Sequence, residues 1–238
     1  TASNVSLDCG GNELIGNYTQ YGISVRGAEN ITVRNCVFKN FSRALFLNNT
    51  DSSIFYNITV FSNRGNYSGV YLLDSSQVNM SHINISGNVG ANNTGVTFYT
   101  SSGNTLEHSI FNNNTVNINA GGLTYNLYGG GIISIRTHSW NNSFRNISFN
   151  ANNVSINGSD SNVRGGGIVG LYWNSSQNTF EDMDFTQNRV WIGDYIVGGG
   201  LVGQYMNCST NTFTNLAFNR NRVDIGYRVA GGGSLGGQ

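Results

Sequence analysis

The chain repeats itself, and this repeat limits what it can fold into more than any other feature. Phenylalanine with asparagine three residues later returns at intervals of 38, 36 and 33 residues, at Phe111, Phe149, Phe185 and Phe218. Glycine triplets run in step with it, at 129–131, 165–167, 198–200 and 231–233. Two markers in fixed phase at this spacing predict a solenoid of stacked coils rather than a globule around one closed core.

The first half carries the same pattern in shorter units. Aliphatic residues at intervals of 22, 25 and 26 residues fill the position that follows the glycines, namely Ile23, Leu45, Val70 and Val96. We expect about eight coils, whose circumference grows from roughly 23 to roughly 36 residues. The chain is predicted to form one β-solenoid domain over 1–238, with short coils in 1–102 and longer coils with both motifs in 103–238.

Within each unit, apolar residues alternate with polar ones, as in Ile147 and Phe149 or Val154 and Ile156. A period of two with β-branched and aromatic residues predicts short strands with one face inward. The absence of proline suits strands whose amides all donate to a neighbouring strand. We predict an all-β parallel β-helix in which the later coils gain the Val-x-Ile strand and become wide and arch-like.

The asparagine that ends each repeat has a structural and a functional explanation. Asparagine tolerates the left-handed backbone of a sharp corner, and its amide can bond to the asparagines above and below it. The predicted structural ladder consists of Asn40, Asn63, Asn88, Asn114, Asn152, Asn188 and Asn221. The functional alternative is a row that binds sugar or another ligand. The glycine triplets predict a bend or a close approach of two backbone segments.

Low charge limits the range of partners. The formal net charge is +0, and only 10% of the residues are charged. A protein that follows a phosphate backbone needs a basic face, so nucleic acid is not an expected partner. The longest apolar runs are far too short to span a bilayer. Because the sequence starts at Thr1 rather than Met, we expect a processed chain from which any secretion signal has been removed.

Acceptor triplets for N-glycosylation, Asn-Xaa-Ser/Thr, occur at about seventeen positions. A chain this rich in asparagine, serine and threonine also forms such triplets by chance. The triplets in predicted turns are the better candidates for covalent glycans: Asn48, Asn66, Asn92, Asn141 and Asn174. Asn40 is a poor candidate, because the predicted ladder would occupy its amide.

The three cysteines form an odd set. In a secreted protein an odd count indicates one bridge with a free thiol, or a bridge between chains. Cys9 and Cys36 lie about one coil apart, which allows an intrachain bridge without requiring it. Cys208 lies near the other end of the solenoid, so a bridge from Cys9 to Cys208 of the next molecule is an alternative.

Two clusters of titratable residues are candidate sites. His82 and His108 fall in one column of the repeat, and imidazoles on adjacent coils could be two metal ligands. No third ligand is evident, and a surface ladder is the alternative. Glu181, Asp182 and Asp184 could hold Ca²⁺ or act as a carboxylate pair, or form only a local surface patch. Because no Ser-His-Asp or Cys-His grouping emerges, we predict no catalytic residue, no metal and no cofactor.

Both motifs carry a family resemblance. Residues 103–238 resemble the repeats of polymorphic outer-membrane proteins, where GGA[ILV] and FxxN tetrapeptides alternate; here glycine replaces the alanine. The opening segment 7–16 (LDCGGNELIG) and the shorter coils resemble pectin-lyase-like right-handed β-helices, including archaeal surface proteins of that type. The resemblance implies right-handed winding, an extracellular location at the cell surface, and a role as adhesin, envelope layer or sheath subunit. The sheaths of filamentous methanogens are a further analogy.

The leading hypothesis is a non-enzymatic, secreted and glycosylated structural protein that assembles with copies of itself into an extracellular sheath, surface layer or filament. Segment 231–238 offers no polar helix or charged strand to cover the last coil. An uncovered solenoid end exposes unpaired backbone, which templates pairing with another chain.

Two alternatives belong to other functional classes. A cell-surface adhesin would bind glycans or a receptor through aromatic residues outside the repeat, namely Tyr125, Tyr128, Trp173 and Tyr205. A polysaccharide lyase, hydrolase or epimerase would need Glu181, Asp182 or Asp184 to line a groove. Enzymes of the resembled fold place acids, bases and cation ligands on one strand face of the central coils, and the sequence shows no counterpart of those groups.

Overall fold

The computed structural model describes residues 3–119, 126–157, 162–193, 195–226 and 228–230. In these ranges every regular element is a β-strand, and the strands pair in parallel into four sheets, which we name A to D. No helix in the described ranges has the length and hydrophobicity that a membrane crossing requires. The predicted all-β parallel β-helix is confirmed.

Each sheet stacks equivalent strands of successive coils. Sheet A contains β1 (Ser6–Asp8), β2 (Glu13–Ile15), β4 (Thr32–Lys39), β6 (Ile54–Phe61), β9 (Asn79–Ser86), β12 (Thr105–Asn112), β16 (Ser143–Asn150), β20 (Thr179–Thr186) and β24 (Thr212–Asn219). Sheet B contains β3 (Tyr21–Glu29), β5 (Arg43–Asp51), β8 (Val70–Leu73), β11 (Val96–Tyr99), β15 (Ile133–Arg136), β19 (Val169–Leu171) and β23 (Val202–Gln204).

The other two sheets are smaller. Sheet C contains β7 (Arg64–Tyr67), β10 (Val89–Asn93), β13 (Thr115–Asn119), β17 (Asn153–Asn157), β21 (Arg189–Ile192) and β25 (Arg222–Ile225). Sheet D contains β14 (Asn126–Tyr128), β18 (Asn162–Gly166), β22 (Tyr195–Gly199) and β26 (Arg228–Ala230).

The coils widen partway along the solenoid, as predicted. Equivalent residues are 22, 25 and 26 residues apart between Phe41 and Asn114, and 38, 36 and 33 residues apart between Asn114 and Asn221. The prediction that the later coils gain the Val-x-Ile strand was wrong. That strand, seen in β13 and β17, continues sheet C, which the narrow coils already contain as β7 and β10. The gained strand belongs to sheet D.

Stacked phenylalanine rings fill the core beneath sheet A. Phe149 lies 4.7 Å from Phe185 and 5.2 Å from Phe111 between ring centroids, with the rings nearly parallel. Phe144 and Phe180 form a second stack at 4.8 Å. All five side chains are fully buried. The phenylalanine of the repeat is therefore the last inward residue of each sheet A strand, placed directly above its equivalent.

The glycine triplets form the bend between sheets D and B. Gly165 and Gly198 have φ values of 125° and 123°, which disfavour any residue with a Cβ. A Cβ added to Gly170 on β19 would lie 2.4 Å from the carbonyl carbon of Gly129, and one on Gly166 would lie 2.1 Å from the oxygen of Val169. At these glycines, sheet D thus folds back onto the outer face of sheet B, and the two sheets approach backbone to backbone.

Candidate functional site

Six repeat asparagines form a buried ladder. The members are Asn63, Asn88, Asn114, Asn152, Asn188 and Asn221. Each Nδ2 except that of Asn221 donates to Oδ1 of the next asparagine at 2.9–3.0 Å, and all six also donate to a backbone carbonyl. Oδ1 of Asn114, for example, also accepts from the backbone N–H of Asn88 at 3.1 Å. The amides are occupied inside the solenoid, so this row holds coils together and presents nothing to a sugar.

Asn40 does not belong to this ladder, and its predicted membership was wrong. Strand pairing aligns Phe38 with Val60, so Phe41 takes the position of Asn63 on the next coil. The backbone N–H of Phe41 donates to Oδ1 of Asn63 at 2.7 Å. Asn40 has a left-handed backbone with a φ of 60° and accepts a hydrogen bond from the hydroxyl of Tyr18.

A second ladder, which the sequence analysis missed, lies where the sheet A strands begin. Nδ2 of each asparagine donates to Oδ1 of the next at 3.0 Å along Asn104, Asn142, Asn178 and Asn211. Its signal in the sequence is asparagine, then threonine or serine, then leucine or phenylalanine. Each wide sheet A strand is therefore held at both ends by stacked amides.

His82 and His108 lie in a column of left-handed residues within the sheet A strands. Their φ values are 55° and 49°, and asparagine or aspartate holds the same conformation at Asn35, Asn57, Asn146, Asp182 and Asn215. Asparagine, aspartate and histidine are the side chains enriched in this conformation, which explains why histidine occurs here. The rings of His82 and His108 lie 5.4 Å apart, and Nδ1 of His108 is 2.8 Å from Nδ2 of Asn146.

The three acidic residues already have partners on the outer face of sheet A. Arg145 lies 3.7 Å from a carboxylate oxygen of Glu181 and 3.9 Å from one of Asp182. Asp182 accepts from Asn215, and Asp184 accepts from Thr186, each at 3.0 Å. The described ranges contain no group of three or more His, Cys, Asp or Glu residues placed to hold a metal ion. The arrangement is a local network of surface hydrogen bonds and ion pairs.

The structure pairs two of the cysteines within the chain. Cys9 and Cys36 form a disulfide, so the proposed bridge from Cys9 to Cys208 of another molecule was wrong. Cys208 is a free thiol. It occupies the position that serine holds on the preceding coils, at Ser75, Ser101, Ser139 and Ser175. Burial is the main cause that raises the pKa of the Cys208 thiol above its ordinary value.

The glycosylation candidates differ in exposure. Asn66 and Asn141 are exposed, whereas Asn48, Asn92 and Asn174 are half-buried. Nδ2 of Asn174 lies 3.2 Å from Nε2 of His138. The hydroxyl residue two positions after the asparagine is buried in three of the five triplets, at Thr50, Ser68 and Thr94. Of the five candidates, Asn141 alone combines an exposed asparagine with a hydroxyl residue, Ser143, that is not buried.

A cleft opens where the narrow coils meet sheet D, and we call it the Arg–Tyr step. It has a volume of about 190 Å³ and is lined by Tyr99, Tyr128, Arg136, Thr137 and Tyr172. Arg136 is only 8% exposed. Its Nε donates to the backbone oxygen of Tyr128 at 2.8 Å, and its Nη1 donates to the hydroxyl of Tyr67 at 2.6 Å.

Aromatic rings and arginines continue on both sides of the step. Tyr172 stacks on Tyr205 at 5.4 Å and lies 4.8 Å from Tyr128, while the Arg164 guanidinium lies 5.6 Å from the rings of both Tyr128 and Tyr205. On the narrow coils, the Arg43 guanidinium lies within 5.4 Å of four ring centroids.

The structure thus brings together three of the four aromatic residues predicted for an adhesin. Tyr128 and Tyr205 belong to the cluster around the step, and Trp173 follows Tyr172 at 6.3 Å between ring centroids. Tyr125 lies outside the described residues. Local sequence gave no sign of the contact between Arg136 and Tyr67, because the two are 69 residues apart.

Two solved structures are distantly similar to the chain. The chain is 12% identical to endo-xylogalacturonan hydrolase from Aspergillus tubingensis, with a TM-score of 0.46 over 98% of this chain and 78% of that one. It is 5% identical to HetL, a pentapeptide repeat protein from the cyanobacterium Nostoc sp., with a TM-score of 0.18 over 87% of this chain and 90% of that one.

No curated protein matches the chain significantly. The model of the right-handed β-helix region matches residues 3–149, which is more than half of the chain. This match agrees with the parallel coils and also supplies the hand of the winding. The chain belongs to the right-handed β-helix family.

Proposed function

We propose that this protein is a non-enzymatic, secreted structural protein whose rod-like units assemble into an extracellular sheath, surface layer or filament. The observation that carries the proposal is the unbroken amide ladder from Asn63 to Asn221, which runs through six coils inside continuous parallel sheets. Parallel pairing along every coil makes a solenoid that extends in one dimension and resists bending.

The repeat residues support this proposal because each of them has a structural role. The asparagines bond coil to coil, the phenylalanines stack in the core, and His82 and Asp182 adopt a required backbone conformation. None of these roles involves a substrate. The repeated part of the sequence is therefore explained by mechanical continuity of the rod, without reference to catalysis.

An extracellular location is supported by the disulfide between Cys9 and Cys36, since disulfides persist in oxidising compartments. The exposed acceptor asparagines Asn66 and Asn141 support glycosylation of the secreted protein. Mass spectrometry of peptides from native material, before and after glycosidase treatment, tests this part. We expect occupancy at Asn141 to exceed that at Asn48, whose triplet contains the buried Thr50.

Self-assembly is supported by the apolar surface around β1, β3 and β4. A cavity of about 440 Å³ is lined mainly by apolar side chains, among them Val5, Leu7, Ile23 and Val33. Apolar side chains of a partner would bury this surface. In the proposed assembly, a neighbouring copy supplies those side chains.

Electron microscopy of the purified protein tests assembly. We expect filaments, layers or tubes for the native chain, and isolated short rods for Leu7→Lys at equal thermal stability. Ile110→Lys is the matched control, because Ile110 is exposed on the outer face of sheet A and lies far from the first coil. Isolated rods from the native chain at high concentration would contradict self-assembly.

A surface adhesin is the second candidate function. The observation that favours it is the Arg–Tyr step, where rings and a buried guanidinium line one cleft. Binding of cell-surface material by monodisperse monomers, with a ligand-dependent rise in melting temperature, would support this alternative.

A further inference from the structure

We propose that the Arg–Tyr step is an anion-binding site, in which Arg136 holds one carboxylate or sulfate group and the tyrosines pack against the ring that carries it. The ligand class is a ring compound with one such group, for which an acidic monosaccharide unit is the test case. This inference deepens the second candidate function and rests on it, and it does not depend on self-assembly.

The charge of Arg136 is the first argument. Burying a cation is costly unless a counter-ion or hydrogen bonds compensate it. Among the described residues, the ion pairs involve Arg34, Lys39, Arg145, Arg189 and Arg222, and none of them involves Arg136. A nearly buried guanidinium therefore lies in the wall of a cleft, and no carboxylate of the described residues forms an ion pair with it.

The donors of Arg136 are the second argument. A guanidinium has five N–H groups in a fixed fork that matches a carboxylate or sulfate. The described acceptors are the Tyr128 carbonyl oxygen for Nε and the Tyr67 hydroxyl for Nη1. Nη2 has no acceptor among the described residues. These two bonds fix the plane of the guanidinium, so its remaining donors are already oriented before a ligand arrives.

The size of the cleft and its tyrosine walls determine what kind of group can carry the anion. A volume of about 190 Å³ is roughly six times the share of one liquid water, which is about 30 Å³. This space fits one ring rather than several units of a polymer. Tyr128 and Tyr172 lie 4.8 Å apart between centroids, and Tyr205 stacks behind Tyr172. The tyrosines are thereby held as flat apolar surfaces with polar hydroxyls.

The neighbouring charges favour an anion over a cation. Aromatic cages often take cations, but here Arg136 and Arg164 already occupy ring faces of Tyr128, at 5.8 and 5.6 Å. A further cation would be repelled. A nucleic acid strand would need a row of basic residues along the coils, whereas the equivalent outer positions next to Arg136 are Tyr99 and Tyr172.

Titration by NMR with three probes tests the proposal: sodium glucuronate, uncharged methyl glucoside, and glucose 6-sulfate. We expect glucuronate to shift the Nε–H signal of Arg136 and the signals of Tyr172, and methyl glucoside to shift neither. Arg136→Gln should weaken glucuronate binding by about tenfold or more. Arg145→Gln, which removes an exposed positive charge from sheet A, is the control and should leave binding unchanged.

Each outcome decides a separate point. Binding of glucuronate alone assigns the site to carboxylates, and binding of both charged probes assigns it to oxyanions in general. Equal binding of methyl glucoside, or an equal loss in Arg145→Gln, would overturn the proposal. If Arg136→Gln does not fold, Tyr99→Leu and the signal shifts of the unmodified chain decide the location. Attachment to cells without affinity for either charged probe would overturn this inference and leave the adhesin function standing.

Discussion

Asn88 donates from Nδ2 to Oδ1 of Asn114 at 3.0 Å, while its own Oδ1 accepts from Asn63 at the same distance. Every amide between the two ends of the ladder is thus a donor toward one neighbour and an acceptor toward the other. A buried group of this kind is costly to leave unpaired. The ladder therefore fixes the register of adjacent coils, because a slip of one residue would leave several buried amides without partners.

Removing one amide from the ladder should destabilise the fold strongly. Asn114→Ala deletes the donor to Asn152 and the acceptor that serves both the backbone and side chain of Asn88. We expect a loss of about 3 kcal/mol in the free energy of unfolding. Asn117→Ala, on an exposed position of β13, should change it by less than about 0.5 kcal/mol. Denaturant titration of both variants measures the difference, and equal effects would contradict the assigned role.

The left-handed column should accept asparagine in place of histidine. His108→Asn preserves a side chain suited to a φ of 49°, so we expect little change in melting temperature. His108→Val should lose about 1–3 kcal/mol, because a β-branched residue is strained in this conformation. Thermal melting with and without zinc completes the test. A zinc-dependent rise that disappears in His108→Asn would restore the metal-site hypothesis.

The glycine contact between sheets D and B, which we call the seam, should not tolerate an added methyl group. Gly170→Ala places a Cβ 2.4 Å from the backbone of Gly129, where no flexible side chain can move away. We expect a loss above about 3 kcal/mol, at or beyond the upper end for overpacking. Gly200→Ala is the control with a milder clash, because its Cβ would lie 3.1 Å from the side-chain methyl groups of Val223. Similar stabilities for the two variants, measured by thermal melting, would contradict the close packing.

The thiol of Cys208 should react slowly in the folded protein and make stability depend on pH. Burial raises its pKa, so the unfolded chain loses the proton first as the pH rises. The contribution of this thiol to the free energy of unfolding is fully present below the pKa that the thiol has in the unfolded chain. It is lost as the pH rises through the pKa that the thiol has in the folded protein. Melting curves from neutral to alkaline pH should show this fall. Cys208→Ser should reduce the pH dependence of the melting temperature. An unchanged pH dependence in this variant would mean that other groups cause it.

Much of the architecture could be predicted from the sequence, because the repeat spacing directly encodes coil length. The interval from Phe111 to Phe149 is the same 38 residues that separate Asn114 from Asn152 in the structure. The register of Asn40 was harder to predict from the sequence. Val37 and Phe38 are both apolar, so alternation alone does not tell which of them points inward. The fold decides that point by aligning Phe38 with Val60.

The remaining features depend on contacts between distant segments. Asn142 belongs to an asparagine pair next to Ser143, and we interpreted such pairs as turns and glycosylation triplets, so its ladder was missed. Arg136 carries no local pattern at all, and its environment arises only when Tyr67 and Tyr128 are brought beside it. Candidate binding residues outside the repeat are therefore the least predictable part of this chain.

The two amide ladders also constrain how such a protein changes length during evolution. Duplicating the 36 residues between Asn152 and Asn188 would add one complete coil, with an asparagine at each ladder position and a glycine triplet at the seam. Inserting a single residue into one sheet A strand would change the spacing between its two ladder asparagines, so that both could no longer meet their partners on the adjacent coils. Such a rod would therefore gain or lose length in whole coils, by genetic duplication or deletion of repeat units, while its cross-section stays constant.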